Sequence, residues 1–282
     1  MLSKNTLPLP ATFTFETVDA PTTPTGKHNR GFHDHFSGVS ANYATFRPSY
    51  PEALFVWLAS VAPSGRHAWD CATGSGQAAL GLARHFGRVT ATDASHEQIA
   101  AAAPHPRIEY RTAAAENSGM ESGSVDLVTV AQALHWFDIG RFFREAERVL
   151  VPGGVLAVWA YGPVTVEGAE TGATVEEFYH SEMGPYWPEE RSMVDAGYAG
   201  IELPMTELKH PAFSMSVSWK REELLGYIRT WSAVSRFIAK NGCDPVAGLE
   251  KRLFPYWNDN SCRTVAWPLT LKAARARQRK TG

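Results

Sequence analysis

Asp70, Gly74, Gly76 and Asp93 are spaced to hold a nucleotide. The run Ala68-Trp69-Asp70-Cys71-Ala72-Thr73-Gly74-Ser75-Gly76-Gln77-Ala78-Ala79 reads as a buried strand, a glycine turn and the start of a helix. Val89-Thr90-Ala91-Thr92-Asp93 then reads as a second strand closed by an acid. Glycine admits positive φ and lets a ligand approach the backbone. The first turn of the following helix offers free N–H groups and the positive end of its dipole. An acid at the end of the second strand can accept both hydrogens of a ribose diol. Asp70, just inside the turn, could hold an ammonium directly or through water, a demand that a dinucleotide does not make. Simpler readings exist for each position. Asp93 could cap the next helix, although Ser95 is better placed to do so, and Gly74 could serve an ordinary turn. Gly74 to Ala79 is also formally G-x-G-x-x-A, a form that suits NAD.

A second group of candidates lies downstream. Ala113-Ala114-Ala115-Glu116 precedes Ser124-Val125-Asp126-Leu127-Val128-Thr129-Val130, and Ala131-Gln132-Ala133-Leu134-His135-Trp136-Phe137 follows. His135 stands just past a strand end, and imidazole titrates near neutral pH, so it could take the proton of a hydroxyl acceptor. A packed structural histidine is the alternative. Trp136 reads as pocket wall or core, or as a face for a cation. Glu116 could flank a ligand or be a solvated loop acid. Cys71 has no base beside it and reads as a small buried hydrophobe. His33-Asp34-His35 offers too few ligands for a closed site, so no metal is expected.

These residues need a scaffold that aligns strand ends. Apolar runs place strands near 67–71, 88–93, 107–112, 125–131 and 154–160, with helices near 76–86, 95–102 and 140–150 between them. Strands alternating with helices imply a parallel sheet covered on both faces. Residues 113–124 form too short a crossover for a full helix. Glu52 to Ser60 reads as a helix before the first strand. After Tyr161, helices are expected over Glu170–Met183, Glu189–Ala196, Glu222–Ala239 and Asp244–Phe254, with Ile201–Pro211 extended. Arg263 to Leu271 reads as a closing edge strand, because Pro268 cannot donate to a ladder.

Phe143-Arg144-Glu145-Ala146-Glu147-Arg148-Val149-Leu150-Val151-Pro152-Gly153-Gly154 completes the pattern. The ordered set D-x-x-x-G-x-G, T-D, A-E, S-V-D-L-V, A-x-H-W-F and R-V-L-x-P-G-G resembles the class I S-adenosylmethionine-dependent methyltransferases. The A-Q-A-x-H-W-F form is similar to the methyltransferase type 11 group, the small-molecule enzymes of the trans-aconitate methyltransferase type. The likeness runs from about Asp34 to Tyr161. It implies a Rossmann-like, doubly wound α/β fold. The sheet would have seven strands with the last ones antiparallel, an N-terminal helical lid and a helical insertion after the fifth strand. Residues 1–27 would be a flexible arm, 28–65 a helical cap and 66–161 the donor-binding core. Residues 162–282 would form the acceptor-binding insertion and the closing strands.

The resemblance implies S-adenosylmethionine as cofactor and S-adenosylhomocysteine as product. Asp70 would hold the methionine ammonium, with Ala72, Gly74 and Gly76 supplying close backbone. Asp93, with Ala94 beside it, would grip the ribose, and Ala115 and Glu116 would flank the adenine. Ala131 and Gln132 would line the methionine end. Tyr43 and Arg47 would fold over that end, and Arg47 could pair with the donor's carboxylate, with an acceptor carboxylate, or with neither. His135 would be the catalytic residue, and Trp136, Tyr161 and Trp231 the acceptor wall, although Tyr161, Trp231 and Trp257 could equally be core. Ala72 stands where the family usually has glycine and is expected to keep a negative φ. Ala114 stands where many relatives carry the acid that holds adenine.

The bulk composition narrows the field. With 44% hydrophobic residues over 282, the chain can bury one large core or two modest ones. A net charge of −2 gives no global field for nucleic acid or an acidic membrane, and the basic stretch Lys272 to Lys280 reads as a solvated terminus. Three scattered cysteines and the absence of a signal peptide or spanning segment fit a cytoplasmic protein. A small-molecule acceptor is expected, with no nucleic acid or membrane partner, in a monomer or weak homodimer. Two other function classes compete. An NAD(P) oxidoreductase would want an acid/base pair such as Tyr-x-x-x-Lys, which does not occur. A non-catalytic module would have kept the nucleoside pocket and lost the acceptor site.

Overall fold

The computed structural model describes residues 48–277. Helix α1 (Glu52–Val61) leads into β1 (His67–Cys71), α2 (Gln77–Leu82), β2 (Arg88–Asp93), α3 (His96–Ala100) and β3 (Ile108–Thr112). Strand β4 (Val125–Ala131), helix α4 (Ile139–Val149) and strand β5 (Leu150–Tyr161) follow. No helix joins β3 to β4, as the short crossover implied. β4 is buried along all but its last residue, and such a doubly covered strand reads as a near-continuous apolar run, here interrupted by the buried Asp126 and Thr129. Asp138 starts α4 by accepting the Arg141 N–H at 3.0 Å, and Phe142, Phe143, Ala146 and Val149 form its buried stripe.

The rest of the chain comprises β6 (Thr165–Val166), α5 (Ala169–Glu177), α6 (Arg191–Asp195), β7 (Thr206–Glu207) and β8 (Phe213–Trp219). Helices α7 (Arg221–Arg229), α8 (Ser232–Asn241) and α9 (Val246–Leu253) precede the long β9 (Arg263–Arg275). The sheet order is β3-β2-β1-β4-β5-β9, with β8 beyond β9. The first five strands are mutually parallel, and β9 is antiparallel to its neighbours. These are the seven strands expected; the two-residue β6 and β7 add short pairings on opposite sides of β9. One face packs on α1 and α2 through Ala68, Ala91 and Leu127. The other packs on α4 through Trp69, Cys71, Val128 and Val130. A third cluster, built on Phe178, Tyr227, Trp231, Trp257 and Trp267, forms the core of the insertion.

Two expectations are corrected. β9 is not an edge, since β5 and β6 pair on one side and β7 and β8 on the other. Pro268 is tolerated for another reason. Thr264 and Ala276 turn their backbone polar groups toward the β5/β6 side, so by the two-residue alternation Pro268 does too. There it faces the interval between Tyr161 and Thr165, where no pairing is made. The single helix expected over Glu222–Ala239 is two, broken at Thr230 and Trp231 where Trp231 turns into the core. Ile201–Pro211 holds a strand at Thr206–Glu207, as expected, and a longer strand, Phe213–Trp219, follows it.

Candidate active site

The parallel strands end on one side of the sheet, and the chemistry-bearing residues collect there. β1 closes on Asp70, which is wholly buried. Thr73 donates to its Oδ2 at 2.5 Å and Thr129 on β4 donates to its Oδ1 at 2.7 Å. Burial lifts the Asp70 carboxyl to about pKa 6, against the opposing pull of those two hydroxyls and the Ala79 N–H. Asp70 stands behind the turn and holds it.

The turn itself is Ala72 to Gly76. Ala72 has φ +53°, in the left-handed region, and so corrects the expectation of a negative φ. The surrounding bonds outweigh its preference: the Thr73 N–H reaches Thr92 O at 2.9 Å, and its hydroxyl is bound to Asp70. Gly74 (φ +56°) leaves open space: a side-chain carbon there would meet only Gln98 Oε1, at 3.7 Å. Gly76 (φ +92°) is closed from the other side. A side-chain carbon on it would overlap the Tyr110 hydroxyl and lie 3.0 Å from Tyr110 Cε1.

Asp93 ends β2 half-buried, accepting the Gly74 N–H at 2.8 Å and the Ser95 N–H at 2.9 Å. It is not the cap of α3; Ser95 is, accepting the Gln98 N–H at 3.3 Å. Ala94 is exposed beside it, and Ala115 is buried. Glu116 accepts the Asp138 N–H at 2.9 Å and so ties the loop after β3 to the start of α4. Ala131 and Gln132 close β4, the latter at φ +60° with its amide donating to Tyr161 O at 3.3 Å.

His135 lies in a 3₁₀ turn (Leu134–Trp136) after β4, its ring 4.7 Å from that of the exposed Trp136. Its Nδ1 is 3.0 Å from the hydroxyl of Tyr198. Burial, with a further push from the charge of Arg191, lowers its pKa to about 4, and Glu190 opposes the shift only in part. His135 is neutral at physiological pH. Arg191 donates through Nε to Tyr179 Oη and Asp195 Oδ1, both at 3.0 Å, and stacks 5.1 Å over the Trp187 ring. Those side chains line a cavity of about 310 Å³ in the insertion.

Trp231 and Tyr161, expected as acceptor walls, are each 5% exposed and packed in the insertion core, where Trp257 is wholly buried. Trp231 stands behind Tyr179 and Trp187, at 5.4 and 5.5 Å between ring centres, so it backs the cavity without lining it. Tyr43 and Arg47, like His33-Asp34-His35, lie outside the described residues. Sequence reasoning missed Tyr110, Tyr198 and Arg191. No short motif marks them, because their partners lie in distant segments.

The pocket fits an S-adenosylmethionine-like nucleoside on its own geometry. Gly74 is an open cradle, and Asp93 is an acceptor at the end of β2 beside it. The buried Tyr110 hydroxyl and Trp159 indole N–H, both on the α2 face, have no hydrogen-bond partner among the described residues. A family model described as a methyltransferase domain matches residues 69–158. A Dictyostelium discoideum protein described as a methyltransferase is 34% identical over 225 residues, covering 79% of this chain and 86% of its own. A solved Anaeromyxobacter dehalogenans structure, described as a type II methyltransferase, shares 42% identity with a TM-score of 0.79. That match covers 83% of this chain and 99% of the other. A Saccharomyces cerevisiae protein described as an S-adenosylmethionine-dependent methyltransferase is 27% identical over 176 residues, 58% of this chain and 60% of its own.

Proposed function

The chain belongs to the class I S-adenosylmethionine-dependent methyltransferases, and on that premise we propose that it methylates an oxygen of a small-molecule acceptor by in-line displacement. The observation that carries the reading is the open Gly74 turn bound through its N–H to Asp93 at the end of β2. Asp93 would accept from the ribose diol, and Ala94, Ala115 and Glu116 would border the adenine. Gly74, Gly76, Ala131 and Gln132 would border the methionine end, with Tyr43 and Arg47 supplied by the preceding segment. Ala72 and Asp70 would act by shaping the turn.

When bound, the cofactor supplies a methyl group on a sulfonium whose departure needs no further activation. The chain has to hold the acceptor in line and keep water out, a contribution of up to about 7–11 kcal/mol. His135 and Trp136 stand at the β4 end, where the acceptor would enter, and residues 162–277 would complete its pocket. The charge of Arg191 beside His135 favours an acceptor bearing a negative oxygen over one bearing an ammonium.

The test is a transfer assay. The full chain is incubated with methyl-tritiated S-adenosylmethionine and panels of carboxylates, phenols and amines, alongside calorimetry with the cofactor and its demethylated product. Label moving to an oxygen acceptor, with heat of binding from both nucleosides, is expected. Transfer confined to amines overturns the oxygen assignment, and no heat from either nucleoside overturns the site.

A further inference from the structure

We propose that the Tyr198 hydroxyl locks His135 as the neutral tautomer with its hydrogen on Nε2, so that His135 meets the acceptor as a hydrogen-bond donor and not as a base. Tyr198 is then a positioning residue. The argument starts from the phenol, which has one proton to give and lone pairs to accept with. Tyr198 is 1% exposed, and its hydroxyl lies 3.0 Å from His135 Nδ1. Among the described residues the only acceptor within reach of its proton is His135 Nδ1. If Nδ1 carried the hydrogen, it would donate to that oxygen, and the phenol proton would be buried with nothing to accept it. With the proton given to Nδ1, the phenol hydrogen and Nδ1 are both satisfied, and the imidazole hydrogen must sit on Nε2.

A second observation points the same way. Tyr198 has φ +54°, a conformation rare for a bulky side chain, and follows Gly197 at φ +61°. Strain of that kind persists where surrounding contacts over-determine it. Here the Tyr198 N–H is bound to Met193 O at 2.9 Å, and its carbonyl accepts the Ile201 N–H at 3.0 Å, which together aim the ring at His135.

The charged neighbours agree. Arg191 opposes a positive charge on His135, and Glu190 is the acid that favours one. The Nε2 atom has no partner among the described residues and is free for a ligand.

The consequence for the reaction rests on the methyl-transfer reading above. The acceptor oxygen supplies the electron pair for the new O–CH3 bond, the pair of the broken S–CH3 bond returns to sulfur, and His135 takes up no proton. The acceptor oxygen must enter already deprotonated, and the Nε2–H orients it.

The experiment needs neither cofactor nor acceptor, so it can fail independently of that reading. The full chain is labelled with ¹⁵N in its ten histidines, and two-bond proton–nitrogen correlations are recorded from about pH 5 to about pH 8. His135 is assigned by the signal lost in His135→Gln. A bare Nδ1 and a protonated Nε2 with no titration in that range are expected. In Tyr198→Phe the lock should go, with both tautomers populated and a titration midpoint moved up toward that of ordinary histidine. A protonated Nδ1 in the wild type overturns the proposal even if the variant does not fold. An unchanged tautomer and titration in a folded Tyr198→Phe overturn the role of Tyr198.

Discussion

Replacing Asp93 by alanine should weaken binding of S-adenosylmethionine by tenfold to a hundredfold. Its carboxylate is fixed at the end of β2 by the Gly74 N–H at 2.8 Å and the Ser95 N–H at 2.9 Å, where the ribose diol would meet it. A hydrogen bond to a charged group contributes about 1.5–3 kcal/mol, and about 1.4 kcal/mol is a factor of ten in affinity. A ribose diol makes two such bonds, but water replaces part of them in the variant, so the net loss should be close to one full bond. The same substitution removes two bonds that order the turn, at a cost of about 1–2 kcal/mol in stability. For a domain of this size that lowers Tm by about 2–8 °C. Calorimetry at fixed ionic strength gives the affinity, and a thermal melt without ligand gives the stability. The loss should be equal for S-adenosylmethionine and S-adenosylhomocysteine, since both carry the ribose. Asp93→Asn, which keeps one acceptor oxygen, should fall between. A folded Asp93→Ala with wild-type affinity would refute the ribose assignment. A loss confined to the methylated form would show that Asp93 senses the sulfonium instead.

Three further outcomes test the framework around the pocket. Gly76→Ala should cost about 1–3 kcal/mol in urea denaturation, because the site has φ +92° and Tyr110 lies against it; wild-type stability would contradict that close approach. Glu145 is held near pKa 2, where burial, which raises it, is outweighed by Arg148 and by the Ser118 hydroxyl and N–H. A depressed acid stabilises the fold above its unfolded value, so about 3 kcal/mol should be lost as pH falls from about 4.5 to about 2. Glu145→Gln should flatten that limb of the denaturation profile, and an unaltered limb would assign it elsewhere. Asp70 has the opposite sign. Burial raises it to about 6, so its ionisation costs the fold up to about 3 kcal/mol as pH rises from about 3.8 to about 6. A cationic ligand offsets that cost, so affinity for S-adenosylmethionine should rise through pH 6, and Asp70→Asn should abolish the rise.

The division between what sequence disclosed and what it withheld follows the range of the interactions concerned. β1, β2, β4 and β5 are apolar runs bounded by glycine or acid, and each was placed within a few residues of its observed limits. Gly74, Gly76 and Asp93 belong to one strand–turn–helix–strand unit, so their meeting is nearly local. The φ of Ala72 is the exception within that unit. Alanine's own preference is negative, but Asp70, Thr73 and Thr92 hold the turn. β8 was legible and was overlooked: Phe213, Met215, Val217 and Trp219 alternate with Ser214, Ser216 and Ser218, the two-residue period of a half-covered strand. The break between α7 and α8 was not legible, because the helical period runs through it. Burial of Trp231 against Phe178, Tyr179, Trp187 and Tyr227 decides it.

The same distinction explains why the donor half of the pocket reads more easily than the acceptor half. His135 could be found from its motif, but its chemistry depends on Tyr198, 63 residues away, inside a Gly197-Tyr198-Ala199-Gly200 stretch that looks only like a turn. A histidine read alone is a candidate base. A histidine whose Nδ1 accepts from a buried phenol is a donor, and only tertiary structure supplies the phenol. Arg191 is a similar case: its guanidinium gains its setting from Tyr179, Trp187 and Asp195, brought together by the irregular segment after α5. An acceptor pocket assembled from such long-range contacts can change with single substitutions that leave the glycine turn and Asp93 intact. Selectivity for the acceptor should therefore respond to changes at Arg191, Trp187 and Tyr179 while cofactor affinity stays as it is.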